Sequence, residues 1–511
     1  MTYLLAVDVG TTNLKVTAFS LQGRVAASAV VITPVRKPAP RFSEHEPDAI
    51  WEQVGAGIRQ VVNALPPTSI EAVAVASVAE EGFLLGSDGK ALAPAIAWFD
   101  QRTSSQAAKW AKLFGSWETY RISGLLPDSI YSLHKIQWIQ AHQPEVYDQA
   151  VKWLCMSDYV TYRLCSEQAM SYSLGSHTMA MDLNRLDWSD EILKAARIPR
   201  RLLPTLTPSG VRLGSVTHEA AEATGLAEGT PVCVGGHDHA CGCLAAGALN
   251  PGTVLDSTGM AEALMVGLAR PAMSPSSFAA HIHFGAHTAR DRFYAGTAMT
   301  SGQVVEWVRD RMFSSTEPNG ESYQALSDDA VTSLPGARGL FFMPLLSDVG
   351  FTDRDGWSRG ALMGLQLFHT RGDICRAALE GITYELRARL EILERSLELE
   401  RQTCLIVSGG AASNSLLLQL KANILDRTVS VPAATETTAL GAAMLAGLGV
   451  GAYASEAQAI EQTRSEAFRT QPDPELVPTY RNLYQSYGRL FDLLADEWHR
   501  WPWTTSGWPI A

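Results

Sequence analysis

One aspartate lies in a segment that could position it for proton transfer. Residues 231–234 form an apolar run, residues 235–243 are mostly small, and residues 244–249 are helix-like. Asp238 therefore stands in a turn that follows a predicted strand. A carboxylate held there can accept a proton from a hydroxyl group, which phosphoryl transfer to an alcohol requires. His237 and His239 flank it, but we do not expect a metal site, because no other ligand cluster has fitting spacing.

A second carboxylate, Asp8, follows the first apolar run, residues 3–7. A strand-end carboxylate can hold water on Mg²⁺, and Gly10 lets backbone N–H groups approach phosphate oxygens. An ordinary hairpin turn with threonine filler is the alternative. The polar residues of this turn are the candidate phosphate ligands: Thr11, Thr12 and Asn13.

Two further turns could hold a nucleotide. Thr258 and Gly259 end a predicted strand, where hydroxyl and backbone N–H groups could bind the outer phosphates, although Ser-Thr-Gly is also a common turn. A strand–turn–helix pattern over residues 408–414 offers a flat backbone for a nucleoside through Gly409, Gly410 and Ala411. Asn414 there could cap the helix or reach the ribose or adenine. Neither a P-loop nor a Rossmann glycine pattern is present.

A third group of polar residues could bind a sugar. Glu80 and Glu81 follow the predicted strand over residues 73–77, and paired carboxylates can bind sugar hydroxyls. Trp98 and Arg102 could face the same cleft. The alternatives are a solvated turn for the two glutamates, a core position for the tryptophan and an exposed Arg–Asp pair.

These motifs lie within or next to predicted strands and helices that alternate along the chain. The predicted strands cover residues 3–7, 15–20, 25–31, 70–77, 251–257, 262–267 and 403–407, and the predicted helices cover residues 48–64, 374–397 and 480–498. Because the second half repeats the plan of the first, we predict two domains, residues 1–247 and 248–511, the second with a C-terminal helical tail. The uncharged stretch 437–455 is predicted to be a buried helix packed by small residues. Four tryptophans near the C-terminus predict a packed anchor or an interface.

Bulk composition limits the class of protein. The chain has 511 residues and a net charge of -12, which disfavours nucleic acid as a partner. Seven scattered cysteines favour reduced thiols in a cytosolic protein. The N-terminus has no basic lead, so we predict no signal peptide, a cytoplasmic location and no membrane partner.

Together these motifs resemble the FGGY family of carbohydrate kinases, in the sugar kinase–heat-shock–actin superfamily. The matching pieces keep the family's order along nearly the whole chain: residues 8–12, 135–138, 235–238, 258–259, Gly302 with Trp307, 376–381 and 409–414. The resemblance implies an α/β fold of two actin-like (ribonuclease H-like) domains with an interdomain cleft. It implies that ATP with Mg²⁺ binds mainly to the second domain and the sugar mainly to the first. A homodimer is a family-level expectation.

The same resemblance suggests roles for individual residues. Asp238 would be the general base, Asp8 would hold Mg²⁺, and Gly302 would join the nucleotide-binding residues. The residues expected to contact the sugar are Glu80, Glu81, Trp98, Arg102, Asp238 and His239.

Departures from the family pattern leave the sugar open. Residues 78–82 (VAEEG) stand where xylulose kinases usually show GQMHG, residues 347–351 replace a familiar Gly-Glu-Arg-x-Pro-like segment, and His239 stands where xylulose kinases often carry Asn. A ketopentose such as D-xylulose is the leading substrate, and the alternatives are fuculose, ribulose, gluconate or a polyol such as glycerol. A non-catalytic nucleotide- or sugar-binding protein, or a nucleotide-driven protein of actin or chaperone type, is the alternative from another class.

Overall fold

The computed structural model describes residues 2–313, 323–346, 358–434, 436–464 and 466–500. The departure noted at residues 347–351 and three of the C-terminal tryptophans, at positions 501, 503 and 508, lie outside them. The strands are β1 (Tyr3–Val9), β2 (Asn13–Phe19), β3 (Val25–Ile32), β4 (Glu44–His45), β5 (Ile70–Ser77), β6 (Gly82–Leu85), β7 (Ala95–Ile96), β8 (Lys152–Cys155), β9 (Ala169–Ser171), β10 (Met181–Asp182), β11 (Asp187–Trp188), β12 (Thr205–Thr207), β13 (Arg212–Ser215), β14 (Pro231–His237), β15 (Thr253–Thr258), β16 (Ala261–Leu268), β17 (His283–Ala286), β18 (Phe293–Thr300), β19 (Phe341–Met343), β20 (Ala361–Met363), β21 (Cys404–Gly409), β22 (Thr428–Pro432) and β23 (Glu466–Thr470).

Helices alternate with these strands. They are α1 (Pro47–Asn63), α2 (Ser104–Trp110), α3 (Ser116–Ser123), α4 (Ser132–His142), α5 (Pro144–Gln149), α6 (Met156–Cys165), α7 (Tyr172–Ser176), α8 (Asp190–Ala196), α9 (His218–Thr224), α10 (Asp238–Ala246), α11 (Pro275–Ala279), α12 (Gly302–Trp307), α13 (Tyr323–Val331), α14 (Arg371–Ser396), α15 (Ser415–Leu425), α16 (Thr437–Gly449), α17 (Glu456–Thr463) and α18 (Val477–Arg500). Ala111–Gly115 and Val308–Met312 are π-helical, and Arg200–Leu202, Ala337–Gly339 and Gly410–Ser413 are 3₁₀ turns.

The chain forms two compact units. The first comprises Met1–Leu255, Met265–Gly296 and Pro432–Ala467, and the second comprises Asp256–Leu264, Thr297–Val431 and Phe468–Ala511. The predicted division into a sugar-binding domain up to residue 247 and a nucleotide-binding domain from residue 248 stays a prediction.

The main sheet of the first unit has the strand order β13-β14-β5-β1-β2-β3. β1 pairs in parallel with β5, and β5 pairs in parallel with β14, while β2 and β3 continue the sheet as the predicted antiparallel meander. The predicted strand over residues 70–77 is confirmed to the residue: residues 72–77 are all buried, and its β-branched side chains favour a strand. A second sheet has the order β17-β18-β16-β15-β21-β22-β23.

Alternate residues of β1 face two different layers of the first unit. Leu5 and Val7 pack in a core cluster with α1, α6 and α9, whereas Leu4 and Ala6 pack in a cluster with α10 and α16. Asp8 continues the second series, because side chains alternate along a strand.

Helix α16 confirms the prediction of a buried helix packed by small residues. A Cβ on its Gly441 would lie 1.9 Å from the carbonyl oxygen of Cys241 in α10, so the two backbones touch at this point. Tight contact between small residues explains why α10 begins at Asp238, six residues before the predicted helix. Packing there outweighs the weak helix propensity of the glycine and cysteine residues.

The predicted helices over residues 48–64, 374–397 and 480–498 are confirmed as α1, α14 and α18. Trp498 in α18 is buried and packs edge-on against Phe491, as expected of a packed anchor. None of the helices in the described ranges has the length and apolar character that crossing a membrane requires.

Candidate active site

The ends of three parallel strands bring the predicted carboxylates of the first unit to one edge of the sheet. Asp8 of β1 and Gly236 of β14 both pair with Ala76 of β5, and His237 pairs with Ser77. Parallel strands end at the same edge, and ligands of open α/β sheets bind there. The carboxylates at this edge are Asp8, Glu80, Glu81 and Asp238.

Asp238 is the first residue of α10, so its carboxylate faces the positive end of the helix dipole. The backbone N–H of His239 donates to Oδ1 at 2.6 Å, and Nε2 of His237 lies 2.9 Å from the same oxygen. Burial opposes ionisation, but interactions with His239 and His237, including these two hydrogen bonds, outweigh it and hold the pKa of Asp238 well below its ordinary value. The side chain is 19% exposed, so an ionised carboxylate remains reachable by a ligand.

Asp8 has the opposite electrostatic environment. Burial raises the pKa of Asp8 to about 8, and the nearby charge of Asp238 adds to the rise, while Lys15 opposes it. Lys15 faces Asp8 across the β1–β2 pair, but its Nζ lies 2.5 Å from Glu436 Oε2. Two carboxylates that repel each other at a strand edge are a donor set that suits a hard cation such as Mg²⁺. Neither Lys15 nor Glu436 was predicted from the sequence, although the antiparallel hairpin spacing could have revealed the lysine.

The turn after β1 needs glycine at position 10, since a Cβ there would lie 2.8 Å from the carbonyl oxygen of Asn13. The Oγ1 of Thr11 accepts a hydrogen bond of 2.8 Å from Trp98 Nε1, so this hydroxyl already has a partner. The side chains of Thr12 and Asn13 are exposed. Of the predicted phosphate ligands in this turn, these two are the most accessible.

The two glutamates after β5 have different environments. Glu81 Oε1 accepts from the backbone N–H of Trp98 at 3.0 Å. Glu80 Oε1 lies 2.7 Å from Nδ1 of His177. Burial opposes ionisation of Glu80, but interactions with His177, His237 and Lys135 outweigh it and lower its pKa to about 2. Glu80 is thus an ionised group inside the protein rather than part of a solvated turn.

Arg102 is held by acidic partners. Its guanidinium forms a bidentate pair with Asp100, at 3.0 and 2.7 Å, and donates to Glu44 at 2.8 Å. Its charge also lies over the rings of Phe42 and Trp138. Its side chain is 3% exposed, so the pair is buried, in contrast to the exposed pair that we considered.

In the second unit, the two predicted nucleotide turns are in contact. Thr258 Oγ1 donates to Ser408 O at 2.6 Å and accepts from the backbone N–H of Ala411 at 3.1 Å. Gly409 has a φ of +87°, and a Cβ there would lie 2.0 Å from Thr258 O, so only glycine fits. A Cβ on Gly302 would likewise lie 2.3 Å from the carbonyl oxygen of Gly259.

The remaining residues of the second turn differ in accessibility. A Cβ on Gly410 would meet nothing within 4 Å, so this backbone is open to a ligand. Asn414 caps α15: its Oδ1 accepts from the N–H of Leu417 at 3.0 Å, and its Nδ2 donates to Ser327 Oγ at 2.8 Å. The capping alternative for Asn414 is therefore confirmed.

Two buried polar groups were not found from the sequence. His177 lies between Glu80 and Tyr294, and its ring centroid is 4.2 Å from that of His237. In the second unit, Lys421 Nζ lies 2.5 Å from Asp256 Oδ2 and 2.9 Å from Glu262 Oε1, with all three side chains fully buried. These acidic residues flank the turn at residues 258–260, so the triad braces the hairpin. No local pattern marks either group, because the partners are far apart in the chain.

Comparison with known proteins agrees with this architecture. The N-terminal domain of the FGGY family of carbohydrate kinases matches residues 3–245, and its C-terminal domain matches residues 257–450. An L-fuculokinase from Escherichia coli is 31% identical over 93% of this chain and 98% of its own length. A xylulose kinase from Bacillus subtilis is 29% identical over 97% of this chain and 98% of its own length.

Solved structures give the same result for the fold. A xylulose kinase from Rhodospirillum rubrum superposes with a TM-score of 0.87 at 25% identity, over 97% of this chain and 100% of that one. A ligand-bound xylulose kinase from Lactobacillus acidophilus has a TM-score of 0.88 at 22% identity, over 98% and 100% of the two chains. The chain therefore has a two-domain actin-like α/β fold, as predicted, and it belongs to the FGGY family of carbohydrate kinases. Its activity is that of a carbohydrate kinase.

Proposed function

We propose that this protein transfers the terminal phosphoryl group of ATP to a hydroxyl group of a neutral ketose, with Asp238 as the general base. The observation that supports the proposal most directly is the position of Asp238 at the carboxyl edge of the parallel strands, ionised and at the start of α10. A base must be free of its proton before the alcohol binds, and the lowered pKa of Asp238 meets that condition.

The neighbours of Asp238 fix its orientation. His237 and the backbone of His239 both bond to Oδ1, and we assign Oδ2 to the substrate alcohol. As the phosphorus–oxygen bond forms, the hydroxyl proton passes to Oδ2. Alignment of the alcohol oxygen with the phosphorus provides much of the rate, because phosphoryl transfer depends on positioning and on charge neutralisation.

We assign Mg²⁺ to Asp8 when the nucleotide is bound; the ion supplies charge neutralisation at the phosphates. The raised pKa of Asp8 supports this assignment, since a cation would stabilise the carboxylate that Asp238 destabilises. Thr12 and Asn13 would contact phosphate from the first unit. In the second unit we assign the phosphates to the backbone of Thr258 and Gly259.

The nucleoside would lie on the open backbone at Gly409, Gly410 and Ala411. Gly302 supports this site by allowing close approach to the carbonyl of Gly259. Asn414 would act by holding the start of α15 rather than by direct contact, because both ends of its amide are occupied.

The charges at the strand edge favour an uncharged sugar. Glu80 and Glu81 are accompanied by cations that already have partners: Arg102 is bound to acidic residues, and Lys135 Nζ donates to the carbonyl oxygen of Glu80 at 2.9 Å. A sugar acid would bring another carboxylate to this edge, where the residues that the structure describes offer no free cation to balance it. Gluconate is therefore a weaker candidate than a ketose.

Among ketoses, D-xylulose is our first candidate, in keeping with the matched xylulose kinases. L-Fuculose is the second candidate, because a fuculokinase is 31% identical over most of both chains. We expect Glu81, Trp98 and His239 to contact the sugar, and Arg102 to hold the segment that carries Trp98.

The test is ADP release with Mg·ATP and a panel of D-xylulose, L-fuculose, ribulose, gluconate and glycerol. We expect a ketose to give the highest kcat/KM and gluconate to give at least about tenfold less. Hydrolysis of ATP at a rate that no sugar increases, in protein with an intact melting transition, would refute the kinase proposal and favour the actin- or chaperone-type alternative. Preference for gluconate would refute the argument from charge.

A further inference from the structure

Three potential metal ligands converge beside the proposed base. Glu80 follows β5, His177 follows α7, and His237 ends β14. One ligand atom of each residue lies within 4.8 Å of the others, and all three residues are buried. Two imidazoles and one carboxylate are a ligand set found in catalytic zinc sites and in other divalent transition-metal sites.

The outer contacts of both histidines match those of metal ligands. His237 directs Nε2 to the carboxylate of Asp238 at 2.9 Å, and His177 directs Nε2 to the hydroxyl of Tyr294. A histidine that binds a metal through one nitrogen usually donates the other N–H to a carboxylate or another oxygen, which fixes its tautomer. His177 thus has Nδ1 next to Glu80, 2.7 Å from Oε1, and His237 has Nδ1 as the nitrogen that does not meet Asp238.

The Nδ1 atom of His237 gives independent support for a metal site. It is buried and has no hydrogen-bond partner among the residues that the structure describes. With Nε2–H facing Asp238, Nδ1 carries a lone pair. A buried lone pair beside a carboxylate and a second imidazole calls for a positively charged partner.

We propose that Glu80, His177 and His237 bind a divalent first-row transition metal ion of the zinc class. Nitrogen ligands favour such an ion over Mg²⁺, which prefers oxygen. In the metal-free chain, His177 donates Nδ1–H to Glu80 at 2.7 Å. When the metal binds Nδ1, that proton moves to Nε2, where it is donated to Tyr294.

This site is distinct from the one that we assign to nucleotide-bound Mg²⁺. The metal would anchor His237 and, through it, orient Asp238. Three protein ligands also leave coordination positions open, and these could take water or a sugar oxygen. The metal site itself can be tested without the proposed kinase reaction.

The test is metal binding by the full chain after chelator treatment and dialysis. We expect one equivalent of Zn²⁺ in calorimetric titration, and one equivalent of Co²⁺ with visible d–d absorption of a low-coordinate site. Excess Mg²⁺ should not displace either ion.

Variants show which residues bind the ion. Glu80→Gln and His177→Ala should each weaken Zn²⁺ affinity at least about tenfold to a hundredfold. His239→Ala should keep the Zn²⁺ affinity, because His239 is not one of the three proposed ligands; it lies in a different group of possible ligands, with His237 and Asp238. The matched control is His142→Ala, an exposed histidine at the end of α4.

Thermal melting of each variant separates loss of the site from loss of the fold, and Glu80→Gln keeps the side-chain shape. Absence of stoichiometric Zn²⁺ or Co²⁺ binding by the folded parent would overturn the proposal. Binding that survives in both Glu80→Gln and His177→Ala, or that His239→Ala abolishes instead, would overturn it as well.

Discussion

Replacing Asp238 with asparagine removes the proposed base while keeping most of its contacts. The Oδ1 of asparagine can still accept from the N–H of His239, at 2.6 Å, and from His237, at 2.9 Å. The side chain should therefore keep its position at the start of α10. Loss of the charge from two hydrogen bonds should change the free energy of unfolding by only about 1–2 kcal/mol.

The effect on catalysis should be much larger. General-base catalysis typically contributes about 10²–10⁴ in rate. Because the pKa of Asp238 is held well below its ordinary value, it is a weak base, and we expect the lower part of this range. Asp238→Asn should reduce kcat about 10²–10³-fold, which corresponds to about 3–4 kcal/mol of transition-state stabilisation.

The binding of Mg·ATP should not be weakened by Asp238→Asn, in contrast to kcat. The charge of Asp238 contributes to the raised pKa of Asp8, so Asp238→Asn should lower that pKa and make the Asp8 carboxylate more available to Mg²⁺. The KM for Mg·ATP should thus stay the same or fall. ADP release at saturating sugar, with separate titrations of each substrate, measures both effects.

Asp88→Asn is the matched control, because Asp88 is exposed in a surface turn and should leave all kinetic constants unchanged. A kcat for Asp238→Asn within about tenfold of the parent would refute the role of Asp238 as base. A large rise in the KM for Mg·ATP with unchanged kcat would instead assign Asp238 to nucleotide binding.

Three further predictions test the surroundings of the site. Asp8→Asn should abolish turnover and raise the melting temperature. The pKa of Asp8 is raised to about 8 from 3.8, so the folded chain holds this proton more tightly than the unfolded chain does. The stability advantage of the variant should therefore grow between about pH 4 and pH 8 and then stay constant. Lys421→Met should destabilise the chain by about 3–5 kcal/mol in denaturant unfolding, because it leaves buried acidic side chains without their cation. Gly409→Ala should weaken ATP binding in calorimetry at least about tenfold, because its Cβ would lie 2.0 Å from Thr258 O.

Each of these predictions has a control. A melting-temperature gain for Asp8→Asn that does not change with pH would contradict the raised pKa. Lys112→Met changes an exposed lysine and should have little effect on unfolding. Gly229→Ala matches the φ of +87° at Gly409 but meets nothing within 4 Å, so it isolates backbone strain from the clash. An equal loss of ATP affinity in the two alanine variants would contradict the argument from close approach.

Local features of the sequence predicted much of this structure. The opening meander, the strand over residues 70–77 and the cap at Asn414 depend on neighbours in the chain, so apolar runs and turn residues reveal them. The predicted start of α10 was wrong, because this helix of small residues is stabilised by its contact with α16 rather than by its own helix propensity. The buried state of Arg102 was missed for a similar reason: Glu44, one of its partners, lies 58 residues away.

By itself, the sequence determined the class of fold and the identity of the acidic residues at the strand ends, because hydrophobic periodicity and glycine turns act over short distances. Tertiary structure alone decided their protonation. Asp8 and Asp238 carry the same functional group, yet burial and mutual repulsion raise one pKa while two histidines lower the other. It also placed His177 against Glu80, 97 residues away in the chain. Charge interactions and metal coordination act through space, so only the folded chain brings these groups within reach of each other.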